Sequence, residues 1–582
     1  MRMSEEQLYK NRHSLSHIMT MAVLELYPDA GLGVGPVIEN GFYQDYDLPE
    51  PISDEIFKKL EKRMREIIKQ KISFEQHHVG FKEALKEYKD DPYKTELIKE
   101  LKEKGEKDVS FYKSDWFENL CLGPHVDSTQ EIDPTSFKLT KVAGSYWRGD
   151  EKNQMLTRIY GVAFANKKDL KAHLAMLEEA KKRDHRKLGK ELDLFTFSDL
   201  VGPGLPLFTP RGTVVRNMLD EFVWTLRRAR GYAKVEIPHI TKKDLYEKSG
   251  HWEKFEEDLF KIETREGHEF AMKPMNCPHH TQIYKRRKWS YRDMPRRYAN
   301  TTMVYRDEQT GELSGLARVR SITQDDAHVF CRESQVKVEA FKIWDIIETF
   351  YGAFGFELSL RLSSHDPKHM ENYLGDEKTW DKAVDEFKSW LKERKADYIE
   401  GVGEAAFYGP KIDFIAKDSI GREWQVATIQ MDRSMPESFD LTCVNEKGED
   451  ERIVMIHAAI MGAIERFMAV LIEHVAGSFP MWLAPEQIRL STVSEDYIGF
   501  AEELREKLAD TGLRVELDAS NEKVGKKIRD AAKMKIPWTI VIGEKEVGGG
   551  DFSVRVFGQD EDLTIKQKDL IKTAQKASKL PS

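Results

Sequence analysis

The sequence has few cysteines and no long apolar run. Its four cysteines in 582 residues follow no paired spacing, which argues against a disulfide framework and fits a reducing cytoplasm. The longest apolar stretch, residues 453–477, is interrupted by His457, Glu465, Arg466 and Glu473. We therefore expect no transmembrane helix and no membrane partner. The polar opening MRMSEEQLYK has none of the features of a signal peptide.

The sequence also lacks a strong net charge and any marked compositional bias. A net charge of −9, with 40% hydrophobic and 33% charged residues, is ordinary for a globular protein and does not by itself indicate a nucleic-acid partner. Short basic runs at 181–187, 227–230 and 285–288 leave such a partner open, although runs of this kind are usually solvated faces.

Changes in pattern along the chain divide it into four parts. Residues 1–165 mix Gly-punctuated β segments with charged helices, and the charged, proline-free segment 166–192 predicts a linker helix. Residues 193–483 carry helix and strand signals without a βαβ rhythm, which favours an antiparallel sheet with helices. From 484 to 582 strands and helices alternate, which predicts a compact α/β domain with a mixed sheet. The fold class is therefore α+β, in several domains.

The first domain holds two pairs of potential metal ligands, and the members of each pair are four residues apart. We expect an amphipathic helix in the first thirty residues to carry one pair, with helices over 54–71 and 81–105 before the other. The four side chains are His13, His17, Cys121 and His125. Taken alone they suggest a zinc site, unless the fold keeps the two pairs apart.

The stretch 295–330 has the composition of a long hairpin, with two extended arms joined by DEQTGELSGL. Because strand residues alternate between faces, Arg306 and Glu308 share one face of the first arm. The second arm presents a polar face made of Arg318, Arg320, Gln324, Asp326 and His328. Such a face is either solvated or a polyanion site, since guanidinium groups match phosphate oxygens in pairs.

Several motifs give the chain a resemblance to a known family. YRDE at 305–308, GAIERF at 462–467 and GYAKVEIPHI at 231–240 resemble the signatures of class II aminoacyl-tRNA synthetases. The stretches MKPMNCPHH, TQDDAHVF, AFYGPKIDF and WQVATIQ are similar to those of the threonyl-tRNA synthetase family. This resemblance implies an antiparallel-sheet catalytic domain, an N-terminal α+β editing domain and a C-terminal α/β anticodon-binding domain.

The resemblance also implies a homodimer that activates L-threonine with ATP and transfers it to tRNA(Thr). The first step is an in-line attack on the α-phosphorus, so catalysis depends on positioning and on charge stabilisation at phosphate oxygens. Arg306 and Arg466 match the family's ATP ligands, with Glu308 beside them and Mg²⁺ expected near the pyrophosphate. Arg318, on the polar face of the hairpin, is expected to be a second clamp for the α-phosphate or the carboxylate.

Cys277, His328 and His457 match the family's ligands for one Zn²⁺ per subunit. Three protein ligands leave one coordination position open, which threonine's hydroxyl and amine would fill. A site that requires a hydroxyl rejects valine, whereas an apolar pocket barely distinguishes the two. Each of the three, taken singly, is more often a core residue.

The same resemblance supplies further substrate contacts. Asp326 is expected to pair with the threonine ammonium group. The other positions that match the family's substrate and nucleotide contacts are Met275, Gln324, Tyr408, Lys411, Gln425 and Gln430.

The helical period adds a geometric constraint to this site. Nine helical steps lead from His457 to Arg466, and at 100° per step a straight helix would place them on opposite faces. We therefore expect His457 at the end of a strand or in a turn, with a helix from about Met461 or Gly462. Cys277 is expected in a turn.

Zinc cannot reject serine, which also carries an amine and a β-hydroxyl, so a separate hydrolytic site is the logical remedy. The resemblance identifies the four ligand-like residues of the first domain as this editing site and implies that it works without metal. Asn119 departs from the acidic residue found in many relatives, which puts editing strength in question.

In the last domain, Asn521, Glu546 and Arg555 match anticodon contacts, and as isolated residues they are ordinary surface polar groups. Many relatives also begin with a small β-grasp domain, whereas this chain opens on the predicted editing helix. The alternative function is an RNA-binding regulator of synthetase type that charges no tRNA.

Overall fold

The structure, a computed structural model, describes residues 3–581, and the chain divides into two compact units between Glu178 and Glu179. Within the described residues, no helix is both long enough and apolar enough to cross a membrane. The four cysteines are free thiols. The predicted domain limits at 165, 192 and 483 remain predictions.

The first unit packs helices on two antiparallel sheets, one ordered β1-β3-β8-β7 with β2 on β3, the other β4-β5-β6. Its helices are α1 Glu5–Leu24, α2 Phe57–Lys69, α3 Phe81–Glu87 and α4 Pro92–Glu103, and α5 Lys167–Arg183 begins in this unit and ends beyond Glu178. Its strands are β1 Gly31–Leu32, β2 Val37–Ile38, β3 Gly41–Asp47, β4 Glu75–Val79, β5 Val109–Ser114, β6 Phe117–Leu120, β7 Phe137–Tyr146 and β8 Met155–Ala163.

Local capping explains where helices of this unit begin. The Ser4 hydroxyl accepts a hydrogen bond from the Gln7 N–H at 3.2 Å, so α1 begins at Glu5. The single helix predicted over 81–105 is wrong, because Asp91 caps α4 and Pro92 occupies its first turn. The predicted linker helix is also divided, since Asp184 caps a second helix that begins at His185.

An eight-stranded sheet forms the centre of the second unit among the residues described, in the order β11-β15-β16-β23-β20-β19-β17-β18. All its pairs are antiparallel except the outermost pair at each edge. The predicted antiparallel architecture and the predicted hairpin, β15 with β16, are confirmed.

The helices of this region are α6 His185–Glu191, α7 Pro210–Arg228, α8 Lys243–Lys248, α9 His251–Lys254, α10 Cys277–Lys285, α11 Val336–Gly352, α12 Glu377–Glu393, α13 Ser434–Ser438 and α14 Ile464–His474. The strands are β9 Phe195–Thr196, β10 Leu207–Phe208, β11 Ala233–Lys234, β12 Ile240–Lys242, β13 Lys261–Glu263, β14 Glu269–Met272, β15 Arg296–Tyr305, β16 Ser321–Cys331, β17 Glu357–Ser364, β18 Tyr398–Val402, β19 Lys411–Lys417, β20 Glu423–Asp432, β21 Thr442–Val444, β22 Asp450–Arg452 and β23 Val454–Ala463.

The last part of the chain has its own apolar core and a mixed sheet ordered β25-β24-β26-β27-β28, as predicted. Its elements are β24 Ile488–Thr492, α15 Ile498–Ala509, β25 Val515–Asp518, α16 Val524–Lys533, β26 Trp538–Ile542, α17 Glu544–Val547, β27 Phe552–Val556, β28 Leu563–Ile565 and α18 Leu570–Ala577.

The turn from β23 into α14 resolves the helical conflict between His457 and Arg466. His457 is the fourth residue of β23 rather than at its end, and α14 begins at Ile464, slightly later than predicted. Gly462 has φ +70°, and the buried Asp325 carboxylate accepts hydrogen bonds from N–H groups of residues 460–462 at 3.0 to 3.3 Å. A strand bulge clamped by one carboxylate therefore separates the two functional side chains.

Replacing Gly462 should destabilise the protein. Gly462→Ala places a Cβ in the left-handed region and 3.1 Å from Val426 O, which should lower the free energy of unfolding by about 1 to 2 kcal/mol. The matched control is Gly352→Ala in α11, where nothing lies within 4 Å of the added Cβ. Its free energy of unfolding should rise by up to about 1 kcal/mol. Urea unfolding measures both, and equal stability of the two variants would contradict the assignment.

Candidate functional site

A cavity of about 400 Å³ opens on one face of the large sheet. Strand register builds it: His328 lies opposite His457, His457 opposite Gln430, and Gln430 opposite Lys411. Residues directly opposite one another project to the same face. The predicted residues that line the cavity are Met275, Cys277, Arg306, Gln324, Asp326, His328, Tyr408, Lys411, Gln425, Gln430 and His457.

Three of these residues form a compact set of metal-type ligands. The Cys277 Sγ and one nitrogen each of His328 and His457 lie within 4.8 Å of one another, and all three side chains are buried. His328 Nε2 and His457 Nδ1 face each other at 3.1 Å. The outer nitrogens are held by His280 Nδ1 at 2.7 Å and by Asp432 Oδ2 at 2.9 Å. Inward nitrogens with fixed outer partners are what a zinc ligand set requires.

Cys277 reaches this set from a helix end rather than from the predicted turn. It is the first residue of α10, with Pro278 in the first helical turn. Burial raises the pKa of the Cys277 thiol well above its usual value, so a bound cation must displace the proton for the sulfur to become a ligand.

The outer partners His280 and Asp432 were missed in the sequence. His280 is the second histidine of the CPHH run, and Asp432 stands two residues beyond Gln430 on β20. A period-two reading of that strand would have placed Asp432 on the face of Gln430. No local pattern pairs His280 with His328.

A buried carboxylate orients two further groups of the cavity. Asp413 is fully buried and lies 2.8 Å from Lys411 Nζ, and it accepts a hydrogen bond from Gln425 Nε2 at 2.9 Å. The Ser363 hydroxyl donates to the same carboxylate at 2.7 Å. Asp413 was also missed, because its position inside KIDF reads as part of an apolar strand.

The neighbouring polar groups are held in the same way. Asp326, 7% exposed, accepts a hydrogen bond from Asn276 Nδ2 at 3.2 Å, and burial raises the pKa of its carboxyl. The Tyr408 hydroxyl donates to Gln430 Oε1 at 3.0 Å. A carboxylate in this position is short of cationic partners, so it suits an ammonium ligand.

Arg306 extends this polar wall beyond the end of β15. Its Nε is shielded from solvent and makes no hydrogen bond with any described residue, while a terminal nitrogen lies 3.3 Å from Met275 Sδ. Burial lowers the pKa of this guanidinium. A shielded cation without a carboxylate partner is suited to an anionic ligand.

Arg318 and Arg320 do not lie on the strand face predicted for them. β16 begins at Ser321, so both belong to the loop between the hairpin strands. Arg318 is exposed and donates to Glu308 Oε2 at 2.6 Å, and neither residue lines the cavity. Alternation fails because the chain is not yet extended there.

Arg466 projects from the first turn of α14 toward the same loop. Its Nε donates to Ala317 O at 3.1 Å. Partial desolvation and the like charges of Arg306 and Arg318 lower the pKa of Arg466. The charges of the three arginines therefore act on one another, with the Glu308 carboxylate among them. A group of arginines of this kind suits a polyphosphate ligand.

The first unit brings together both of its ligand-like pairs. One atom each of His13, His17, Cys121 and His125 lies within 4.8 Å of the others. The Cys121 Sγ lies 3.3 Å from His13 Nε2 and 3.2 Å from His125 Nε2. Burial lowers the pKa of all three imidazoles and raises that of the thiol to about 11. At neutral pH the four groups are uncharged hydrogen-bonding partners.

Lys94 and Asn119 are two further buried polar residues of this unit, and the charge of Lys94 acts on His17 and Cys121. Lys94 on α4 is 3% exposed, and burial lowers its pKa to about 8, which the sequence did not reveal because α4 is rich in lysine. Asn119 on β6 is buried, and its Oδ1 makes no hydrogen bond with any residue in 3–581.

The three predicted anticodon residues differ in environment. Asn521 and Arg555 are exposed, and Arg555 lies 3.4 Å from Asp562 Oδ1. Glu546 is 8% exposed, and its Oε2 accepts a hydrogen bond from the Gly543 N–H at the start of α17.

Family models match three regions of the chain. Residues 260–475 match the class II tRNA synthetase core domain (G, H, P, S and T), residues 487–577 the anticodon binding domain, and residues 109–160 the second additional domain of threonyl and alanyl tRNA synthetases.

Whole-chain relatives agree with these matches. The threonine–tRNA ligase of Gloeobacter violaceus is 47% identical over 97% of this chain and 92% of its own, and that of Flavobacterium johnsoniae is 47% identical over 94% and 84%. A crystal structure of the RNA-binding domain of threonyl-tRNA synthetase from Cryptosporidium parvum covers 68% of this chain and 98% of its own, at 35% identity and a TM-score of 0.65. The chain therefore belongs to the threonine–tRNA ligase family of class II aminoacyl-tRNA synthetases.

Proposed function

We propose that the chain activates L-threonine with ATP, transfers it to tRNA(Thr) and hydrolyses mischarged seryl-tRNA(Thr). The observation that supports the synthetic step is one cavity on one sheet face. The three possible zinc ligands, the buried Asp326 carboxylate and the shielded Arg306 meet there. The family relationship supports the reaction. An RNA-binding regulator that charges no tRNA has no use for this combination.

Cys277, His328 and His457 would hold the zinc ion, and the coordination that they leave open would take the threonine hydroxyl and amine, five ligands in all. Asp326 pairs with the ammonium group from the same strand as His328. Tyr408 and Gln430 line the cavity, and the hydrogen bond between them holds both side chains in place. The chain thus recognises threonine through polar groups. A substrate without a hydroxyl leaves those groups unpaired and is therefore rejected.

Arg306 then clamps the α-phosphate, where charge develops as the threonine carboxylate attacks. Arg466 and Arg318 bind the pyrophosphate end, and Glu308 orients Arg318 at 2.6 Å. Mg²⁺ accompanies ATP, since a cation beside the leaving pyrophosphate neutralises its charge. Lys411, Gln425, Gln324 and Met275 position the substrates within the cavity.

In the first unit, His13, His17, Cys121 and His125 orient the seryl ester and a water molecule. Four uncharged groups can donate and accept hydrogen bonds around a 2′-hydroxyl and an ester without a metal. The match of residues 109–160 to the second additional domain supports an editing role. Lys94 adds the only cationic group proposed here, beside Cys121.

We also propose a homodimer, a cytoplasmic location and an anticodon contact by Asn521, Glu546 and Arg555. The segment 231–240 resembles the dimer signature and includes β11, the edge strand of the large sheet, which leaves one strand side open for pairing. Four free thiols fit a reducing compartment. Exposed polar groups such as Asn521 and Arg555 can read unstacked bases of a loop, whereas Glu546 is largely buried.

Removing the proposed thiolate ligand should abolish both metal binding and threonine activation. Cys277→Ala is expected to lose the bound zinc and threonine-dependent ATP–pyrophosphate exchange. The matched control, Cys331→Ala, truncates another fully buried cysteine, outside the ligand set, and should keep both. Elemental analysis measures the bound zinc, and exchange assays measure the activity. Full activity of Cys277→Ala without zinc would contradict the metal proposal.

Exchange with different amino acids tests how the cavity recognises its substrate. Threonine and serine should both support ATP–pyrophosphate exchange because both carry an amine and a β-hydroxyl. Valine should be weaker by on the order of 10⁴-fold, since it would leave the hydroxyl's partners unsatisfied. Comparable exchange with valine would show that shape alone selects the substrate.

The editing proposal predicts a separable loss of hydrolysis. The double variant His13→Ala, Cys121→Ala should deacylate seryl-tRNA(Thr) at least about 100-fold more slowly, with threonine activation unchanged. His78→Ala, an exposed histidine of the same unit, is the control and should hydrolyse normally. Equal hydrolysis by all three proteins would place editing elsewhere, and two zinc ions per wild-type chain would contradict a metal-free site.

A further inference from the structure

A buried histidine outside the cavity holds the loop that carries Arg318. His185 is the first residue of α6, and its ring is 5% exposed in the fold. Its Nδ1 lies 2.6 Å from Glu473 Oε1, and its Nε2 accepts a hydrogen bond from the Leu316 N–H at 3.1 Å. The acceptor at Nε2 requires the proton to be on Nδ1, where the Glu473 carboxylate holds it.

Helix α14 contacts the same loop at two consecutive residues, Leu316 and Ala317. Arg466 and Glu473 are seven residues apart and therefore share one face of α14. Arg466 Nε donates to Ala317 O directly, whereas Glu473 acts on the Leu316 N–H through the His185 ring. The Ala317 carbonyl belongs to the peptide that links Ala317 to Arg318, and the Leu316 N–H lies one residue before it.

The loop itself is built to receive this ring. Ser314 and Arg318 exchange backbone hydrogen bonds of 3.1 and 3.3 Å, which close a tight turn around Leu316. Gly315 has φ +50°, and a Cβ at this position would lie 2.3 Å from His185 Nε2. Leu316 is fully buried in the core, so the turn is anchored by packing as well as by the histidine.

Asp184, His185 and Glu473 also have the spacing of a metal site, but their ligand atoms are engaged. Both nitrogens of His185 have partners. The Glu473 carboxylate lies 2.5 Å from the Nη2 of Arg422. Asp184 caps α6 and forms an ion pair with Arg186. A cation would have to displace each of these contacts. The cluster is therefore a positioning network.

We propose that His185 is a positioning residue for ATP binding: through its Nε2 it fixes the loop 314–318 and so places Arg318 and the Ala317 contact of Arg466. This inference rests on the proposed function. It predicts that loss of the Nε2 acceptor weakens ATP binding and leaves the threonine cavity, on the sheet face, unaffected.

Two substitutions separate the acceptor from the rest of the ring. His185→Gln can place a carbonyl oxygen near the position of Nε2, whereas His185→Asn reaches only the position of Nδ1. His185→Asn should raise the KM for ATP about tenfold in threonine-dependent exchange, and His185→Gln should restore it to within about threefold of wild type. The affinity for threonine, measured by calorimetry without ATP, should not change in either variant.

A second pair of variants changes the loop and leaves His185 in place. These variants keep the proposal testable if substitutions of His185 prevent folding. Gly315→Ala should raise the KM for ATP as His185→Asn does, because the added methyl displaces the ring. Gly311→Ala lies in the same connection between the hairpin strands but outside residues 314–318, and its new Cβ has open space around it. This variant should leave the KM for ATP unchanged.

An unchanged KM for ATP in His185→Asn, equal impairment of the Asn and Gln variants, or a parallel loss of threonine affinity would each overturn the proposal. A wild-type protein without threonine-dependent exchange would instead contradict the proposed function, so the two failures are distinguishable.

Discussion

The register of the central sheet is the constraint on which the site depends. One row of opposed residues runs from His328 through His457 and Gln430 to Lys411 across four strands. Because side chains alternate between faces, a slip of one residue in any pairing would turn one partner of the row to the opposite face. Asp325 and Gly462 fix the register where β23 bulges toward α14. The packing of the strands therefore determines where the side chains of the site lie.

Polar groups of the site are oriented by buried partners that do not themselves line the cavity. Asp432 and His280 set the two histidine rings, and Asp413 sets Lys411 and Gln425. In a medium of low dielectric such contacts are strong, and an unpaired group there is costly. Some shielded atoms of the cavity wall, among them the Arg306 Nε and the Gln324 Oε1, make no hydrogen bond with a described residue. For the Arg306 guanidinium, an anion is the partner that its charge favours.

The sequence predicted the hairpin, the antiparallel sheet and the mixed C-terminal sheet, because period-two patterns and turn composition are local. Alternation also placed Gln324, Asp326 and His328 on one face, and all three line the cavity. It failed for Arg318 and Arg320, which precede the strand. Registers between distant strands leave no trace in local pattern, so His280, Asp413 and the His185 network were found only in the structure. Motif resemblance supplied what spacing could not, the grouping of Cys277 with the two histidines.

X-ray absorption at the zinc edge, recorded on the wild-type chain, tests the central claim most directly. We expect one zinc per chain with one sulfur at about 2.3 Å and two imidazole nitrogens at about 2.0 Å from the metal. Threonine should add light ligands to this shell, and valine should leave it unchanged. A chain that activates threonine without zinc, or a zinc shell that threonine does not alter, would contradict recognition of the hydroxyl by the Cys277, His328 and His457 site.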